Sequence, residues 1–171
     1  MYLRKEFKIF LLLIFFGLLF FFFYNSLYKK KDFEPRVMIG KEFPNLSSKS
    51  LFNGQNINIK QISKNRMFIV NIFASWCAPC KIEHPFLMEL AKKRDVPIYG
   101  IDWRETDRQA GPAWLKRFGD PYTLIGDDPK SRGAIAFGVT GAPESFIVDK
   151  RGIIRFKHTG PLSDEIWAKT I

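Results

Sequence analysis

The chain has 171 residues, a formal net charge of +10 and two cysteines. Its length fits one domain of ordinary size. The basic residues are scattered and no nucleic-acid-binding motif is present, so we expect no nucleic-acid partner and interpret the charge as a solvated surface beside a membrane.

The N-terminal residues predict a membrane anchor. Residues 9–28 carry no charged side chain, and a helix of about 20 residues matches the ~30 Å hydrocarbon core of a bilayer. A cleaved secretory signal is the alternative, but it needs small residues before the cleavage site, whereas residues 22–28 are mostly bulky. Basic residues flank both ends, so charge does not choose an orientation.

These features predict a division of the chain into four parts. We expect a tail at residues 1–8, a transmembrane signal-anchor at 9–28, a linker at 29–42 and a folded domain at 43–171. The tail is expected in the cytoplasm, because translocation of the domain that follows a signal-anchor is the usual route.

The first half of the domain predicts short strands, then a buried strand and a helix. Residues 43–62 indicate strands around a turn at Asn53-Gly54. Residues 67–74 are nearly continuously apolar, which is typical of a strand buried on both faces. Helical spacing of apolar residues follows from residue 79 to about 94, and Pro85 is expected to kink this helix.

The second half predicts alternating strands and helices. Strands are expected at residues 96–102, 122–125, 145–149 and 153–158, and helices at 113–118 and 131–137. Ser163 is expected to cap a last short helix, with Ile166 and Trp167 facing inward. This alternation indicates an α/β fold, with a central mixed sheet of parallel strands and an antiparallel edge, flanked by helices.

The two cysteines, Cys77 and Cys80, carry the clearest chemical signal. A disulfide across three residues closes too small a loop to stabilise a fold, so the spacing favours redox exchange or zinc ligation. The pair follows a buried strand and opens a helix, where free N–H groups and the helix dipole favour a thiolate. We predict Cys77 as the exposed nucleophile and Cys80 as the residue that resolves the mixed disulfide.

Zinc ligation remains as an alternative from a different class. Zinc would need two further ligands, and only His84 and His158 are available. We therefore predict no metal site and no cofactor besides a redox-active disulfide. A non-catalytic metal-binding or haem-pathway chaperone that uses the cysteines and His84 is kept as the competing hypothesis.

A second motif, Gly141-Ala142-Pro143-Glu144, precedes the predicted strand at 145–149. A proline at a strand entry can be cis and present its neighbour's backbone to an extended peptide. Without further context, the trans isomer is the more common for such a bond.

Several separated motifs resemble a known family. One stretch resembles thioredoxin-fold proteins. It reads Asn71-Ile72-Phe73-Ala74-Ser75-Trp76-Cys77-Ala78-Pro79-Cys80, with Pro85 five residues further on. One branch in particular, the cytochrome c maturation thiol–disulfide interchange proteins (CcmG, also called DsbE), is similar in three further segments, which are Trp114-Leu115 with Gly119-Asp120-Pro121-Tyr122, Gly138-Val139-Thr140-Gly141-Ala142-Pro143-Glu144, and Gly152-Ile153-Ile154-Arg155-Phe156-Lys157-His158.

The resemblance implies a thioredoxin-like fold and a function. The chain would be a thiol–disulfide oxidoreductase, held in the bacterial inner membrane by one transmembrane helix with its catalytic domain in the periplasm. It would reduce the haem-binding cysteines of apocytochrome c and be recharged by a membrane electron donor of the CcdA or DsbD type. A general membrane-anchored reductase or oxidase with other thiol protein substrates is the alternative.

The resemblance also implies roles for residues near the cysteines. Trp76, Glu83 and Glu144 would be active-site neighbours, and a nearby carboxylate would raise the thiol pKa against the helix dipole. Ala142 and Pro143 would bind substrate across a cis peptide bond, and residues 103–137 would form an insert.

Two departures from the family are expected to matter. Asn71 stands where thioredoxin itself has a buried aspartate, so that proton acceptor is absent. The chain ends soon after its last helix begins, so this helix is expected to be short.

Overall fold

The structure of the chain, a computed structural model, describes residues 3–28, 38–45, 47–62, 65–93 and 96–170. The chain divides into two units, the N-terminal helix and the remainder. Helix α1 (Leu3–Tyr28) contains the 19-residue window Phe7–Asn25, whose mean hydropathy of 2.5 allows it to cross a membrane. Most of the predicted linker, residues 29–37, lies outside the described residues.

The remainder is a seven-stranded sheet with five helices among the described residues. In chain order the elements are β1 (Ser47–Ser50), β2 (Asn56–Asn58), α2 (Ile59–Ile62), β3 (Phe68–Phe73), α3 (Ala78–Lys93), β4 (Ile98–Trp103), α4 (Ala110–Phe118), β5 (Leu124–Asp128), α5 (Arg132–Ala136), β6 (Glu144–Val148), β7 (Ile154–Thr159) and α6 (Asp164–Ala168).

The sheet has the order β2-β1-β5-β4-β3-β6-β7. Strands β5, β4 and β3 are parallel, and the pairs towards both edges are antiparallel. The predicted α/β fold with a central mixed sheet is therefore confirmed. Pro85 lies within α3, and the predicted kink stays a prediction.

Side chains on the two faces of the sheet form two hydrophobic cores, because successive residues of a strand point to opposite faces. Ile69 and Phe73 of β3 lie in a core with apolar residues of α3, α4 and α6. Val70 and Ile72 lie in a second core with Ile59 and residues of α5. Every residue of β3 is buried, as the apolar run predicts.

Two predicted strands were misplaced. Residues 59–62 form one helical turn instead of extending the strand, and the described pairing of β2 with β1 ends at Asn58. The strand predicted at 122–125 begins at Leu124 and continues to Asp128, where it pairs with both β4 and β1.

The turn at Asn53-Gly54 and the last helix follow the prediction. Gly54 and Gly152 have φ values of +67° and +80° in the hairpin turns, a conformation that glycine adopts without strain. Ser163 Oγ accepts a hydrogen bond from the Ile166 amide, which caps α6. Ile166 and Trp167 pack against the first core.

Candidate active site

The two cysteines lie where β3 gives way to α3. Cys77 directly precedes the first helical residue and Cys80 lies in the first turn. Their sulfurs form a disulfide, with 5.3 Å between the Cα atoms. The Cys80 amide donates a hydrogen bond to Cys77 Sγ at 3.1 Å. The helix N-terminus therefore acts directly on the Cys77 sulfur, as the sequence predicts.

The exposure of the cysteines differs from the prediction. Cys77 is 4% exposed and Cys80 is 1% exposed, so the expectation of an exposed Cys77 is wrong for the disulfide form. The disulfide links both side chains within the first core, beside Ala74 and Phe73. Trp76 is instead the exposed residue, at 56%, and its ring centroid lies 5.9 Å from that of Trp103.

Glu83 and Asn71 join α3 to the sheet beneath the cysteines. The Asn71 side-chain amide donates to Glu83 Oε1 at 2.8 Å and to Ser145 Oγ at 3.0 Å. The Tyr122 hydroxyl donates to Asn71 Oδ1 at 2.7 Å, and the Leu162 amide donates to Glu83 Oε2 at 2.8 Å. Both oxygens of the glutamate and all polar atoms of the asparagine side chain thus have partners.

Burial raises the pKa of Glu83 to about 7, against the lowering effect of the hydrogen bonds from Leu162 and Asn71. Glu83 lies three residues after Cys80 on α3, on the same side of the helix. A carboxyl group of the neighbouring helix therefore lies 2.8 Å from the Asn71 side-chain amide. Near neutral pH this group can hold or release a proton.

The peptide bond between Ala142 and Pro143 is cis, as the resemblance implies. The Pro143 carbonyl accepts a hydrogen bond from the Gly160 amide at 2.9 Å. Ala142 packs against both cores. Among the described residues, its backbone makes no hydrogen bond to another backbone group.

Glu144 follows the cis bond and is buried against a lysine. Its Oε2 lies 3.1 Å from Lys157 Nζ, and neither side chain is more than 3% exposed. Its Oε1 accepts from the amide and hydroxyl of Thr140. Lys157 also donates to the Gly138 carbonyl at 2.8 Å. The ion pair fastens the loop that carries the cis bond. The positive charge of Lys157 offsets the negative charge of Glu144.

Sequence reasoning missed Lys157 because a lysine on an edge strand normally faces solvent. It also missed Glu105, whose Oε1 accepts a hydrogen bond from the Ser75 amide in the loop before Cys77. Only the register of β7 and the path of the β4–α4 loop reveal these two contacts.

His84, the further ligand in the chaperone hypothesis, is buried in the structure. Its Nε2 lies 3.1 Å from the Gly119 carbonyl, and its ring centroid lies 4.5 Å from that of Trp114. Burial lowers its pKa. Within the described parts of the chain, no three His, Cys, Asp or Glu side chains are grouped so that they could hold a metal ion.

Several known proteins are similar to this chain in sequence. A family model described as Redoxin matches residues 38–170. The thiol:disulfide interchange protein DsbE of Allochromatium vinosum is 39% identical over 137 residues, covering 80% of this chain and 75% of that protein. The Escherichia coli K12 protein of the same name is 35% identical, covering 79% and 72%.

A solved structure supports the thioredoxin-like fold. A secreted thiol-disulfide isomerase from Corynebacterium glutamicum superposes with a TM-score of 0.67 at 22% identity, covering 75% of this chain and 81% of that one. At this identity the likeness concerns the fold alone. With its disulfide at the strand-to-helix junction and its similarity along most of the DsbE sequences, the chain belongs to the Redoxin family and, within it, to the DsbE thiol:disulfide interchange proteins, and is a thiol–disulfide oxidoreductase.

Proposed function

We propose that the chain is anchored in the bacterial inner membrane and reduces the haem-binding cysteines of apocytochrome c from the periplasmic side. The observation that carries the redox role is the hydrogen bond from the Cys80 amide to Cys77 Sγ at the start of α3, because a helix N-terminus stabilises a thiolate. The apolar helix α1 supports the anchor. The apocytochrome substrate rests on the family resemblance.

The proposed reaction moves two electrons from the dithiol form to a substrate disulfide. The Cys77 thiolate attacks one substrate sulfur, a mixed disulfide forms, and the other substrate sulfur leaves as a thiolate that takes a proton. The Cys80 thiolate then attacks Cys77 Sγ, which forms the Cys77–Cys80 disulfide and releases the second substrate thiolate. A membrane electron donor of the CcdA or DsbD type restores the dithiol.

Glu83 and Glu144 have different roles in this proposal. Glu83 accepts the Cys80 proton during the second step, because its pKa of about 7 suits proton transfer near neutral pH. Glu144 acts through its ion pair with Lys157, which holds the loop that carries the cis bond.

Substrate binding is assigned to the cis-proline loop and Trp76. The backbone of Ala142 has no backbone partner among the described residues, so this segment, fixed by Pro143, can pair with an extended segment of the substrate. The exposed ring of Trp76 offers an apolar contact at the rim of the site.

A trapping experiment tests both the chemistry and the substrate. Cys80→Ala should accumulate a mixed disulfide through Cys77, because the resolving thiol is gone. Capture of an apocytochrome c by this variant, expressed with its anchor, is the expected result. Cys77→Ala is the matched control and should capture far less. Broad capture of unrelated thiol proteins would replace the apocytochrome assignment with a general reductase.

The reduction potential tests the direction of electron flow. We expect a value closer to that of thioredoxin, about −270 mV, than to that of DsbA, about −120 mV. Equilibration of the Cys77–Cys80 couple with dithiothreitol buffers gives the value. A potential in the DsbA range would make the chain an oxidase and contradict the proposed reduction of apocytochrome c.

A further inference from the structure

A buried carboxylate supports the loop that carries Cys77. Glu105 lies in the β4–α4 connection, and its Oε1 accepts a hydrogen bond from the Ser75 amide, two residues before Cys77. The ring of Trp103, the last residue of β4, forms a second contact with this loop, because its centroid lies 5.9 Å from that of Trp76. The β4–α4 connection therefore holds the backbone that positions the Cys77 sulfur.

A second carboxyl group, that of Asp102, is buried behind this contact. Asp102 is 1% exposed at the end of β4, and neither of its oxygens receives a hydrogen bond from a described residue. The Glu105 carboxyl group lies within hydrogen-bonding reach of it. Two ionised carboxylates have only acceptor oxygens. A hydrogen bond between the two side chains therefore requires that one of them carries a proton.

Within the described part of the chain, the elements packed around Asp102 bring no cation to it. Its neighbour on β3 is Phe73, and its neighbour on β5 is Asp127, whose charge is in turn opposed by Arg108. On α4, a Cβ atom built on Gly111 would lie 2.0 Å from Asp102 Oδ2. The helix backbone is thus packed directly on the carboxyl group, and burial together with Glu105 and Asp127 raises its pKa to about 8.

We propose that Asp102 and Glu105 share one proton and act as a positioning pair, which holds the Ser75 amide and through it the Cys77 sulfur. The Asp102 hydroxyl donates to Glu105, and Glu105 accepts from both Asp102 and Ser75. Loss of the shared proton places two carboxylates in contact, so the pair separates and the loop before Cys77 loosens. This assignment rests on the proposed role of Cys77 as the attacking sulfur.

Carboxyl NMR tests the shared proton without any exchange reaction. We use the full-length oxidised protein in detergent, labelled with ¹³C at the aspartate carboxyl carbon. One aspartate resonance should titrate at least about two pH units above the ordinary value near 4, and it should be absent in Asp102→Asn. The Ser75 amide resonance should shift over the same pH range in the wild type. Ordinary titration of every aspartate, or persistence of the late resonance in Asp102→Asn, would overturn the proposal.

Rates of attack by reduced Cys77 on oxidised glutathione test the positioning role. Asp102→Asn should react within about twofold of the wild type at pH 7, because the carboxamide also donates to Glu105, but its pH profile should lose the inflection near pH 8. Glu105→Ala should react about five- to tenfold more slowly, since a hydrogen bond to a charged acceptor is lost.

Glu105→Gln is the conservative control and should recover most of the rate, because its side-chain oxygen still accepts from Ser75. A Glu105→Ala variant with the wild-type rate and pH profile would refute the positioning role, and so would an unchanged inflection in Asp102→Asn. A wild-type Cys77 that attacks no disulfide would contradict the proposed function, whereas the NMR titration would still decide whether the pair shares a proton.

Discussion

At the scale of single residues, Glu83 shows burial and hydrogen bonding acting in opposite directions on one carboxyl group. Each hydrogen bond to a charged acceptor contributes about 1.5–3 kcal/mol, and Glu83 accepts two, from Asn71 and Leu162. Its pKa is nevertheless raised to about 7, so the cost of burying the charge exceeds the stabilisation by these donors. The residue is thereby suited to proton exchange rather than to a permanent charge.

Replacing Glu83 should change how stability depends on pH. The folded chain keeps the Glu83 proton up to about pH 7, whereas the ordinary pKa of a glutamate is 4.5. Because the folded state binds this proton more tightly than the unfolded state does, the proton stabilises the fold. This stabilisation is fully present below pH 4.5 and is lost as the pH rises through about 7. In Glu83→Gln the decrease between these pH values should be smaller, by up to about 3 kcal/mol.

Urea unfolding of the full-length oxidised protein in detergent, followed by tryptophan fluorescence, measures this slope. Titration of Asp102 adds a pH dependence of the same sign to the stability of the wild type and of Glu83→Gln. The difference between their two slopes therefore reports Glu83. Glu89→Gln, at an exposed position of α3, is the control and should keep the wild-type slope. Parallel profiles for Glu83→Gln and the wild type would contradict the prediction.

Lys157→Met should be strongly destabilising. It leaves Glu144 buried beside an apolar side chain, and removing one partner of a buried ion pair costs about 3–5 kcal/mol. The Gly138 carbonyl also loses its donor. Chemical unfolding at pH 7 provides the measurement.

Two variants make the effect of Lys157 specific. Lys150→Met, at an exposed position of the β6–β7 turn, should change stability by no more than about 0.5 kcal/mol. Adding Glu144→Gln to Lys157→Met should recover part of the loss, because the unpaired charge is removed. Equal stabilities of Lys157→Met and Lys150→Met would show that the ion pair does not fasten the loop.

At the scale of elements, the parts that could be predicted are those with a local pattern. The apolar run of β3, the cysteines at the start of α3 and the Ser163 cap need only neighbouring residues. The limits of β5 could not be predicted, because they depend on pairing with β1 and β4. The Lys157 contact requires the β6–β7 register, which places this lysine opposite Phe146.

The contact between α4 and β4 predicts an unusual response to a glycine substitution. Alanine is favoured over glycine within a helix by about 1 kcal/mol. Gly111→Ala should nevertheless destabilise the domain by about 1–3 kcal/mol, because the added Cβ would lie 2.0 Å from Asp102 Oδ2. Thermal unfolding of the two proteins checks the sign.

A second glycine gives the matched control for Gly111. A Cβ at Gly141 meets no atom within 4 Å, so Gly141→Ala should leave stability nearly unchanged. Combining Gly111→Ala with Asp102→Ala makes room for the new methyl group, and the two costs should be less than additive. Stabilisation by Gly111→Ala alone would mean that α4 does not pack on the carboxyl group as described.

At the scale of the whole molecule, two features can bring the chain to a membrane. The net charge of +10 attracts anionic lipid head groups, at about 1 kcal/mol per basic residue near the surface. Helix α1 offers an apolar window of 19 residues, whose insertion does not depend on charge. Salt separates the two modes, because the Debye length falls to about 3 Å at 1 M ionic strength.

We expect the full-length chain to remain in the membrane fraction in 1 M salt and in alkaline carbonate, with residues 1–28 still present in its intact mass. Arginine at the helix centre costs about 2.5–3.5 kcal/mol per residue, so the double variant Leu13→Arg/Leu18→Arg should be released in large part. Lys30→Arg/Lys31→Arg leaves the apolar window unchanged and should stay bound. Release of the wild type by salt alone would show a peripheral protein, and an intact mass lacking the N-terminal residues would show a cleaved signal.

A membrane-impermeant maleimide tests on which side of the membrane the domain lies. Labelling of the reduced cysteines in intact spheroplasts would place the domain outside the cytoplasm, which is where a reductant of apocytochrome c must act if the anchor serves its proposed function.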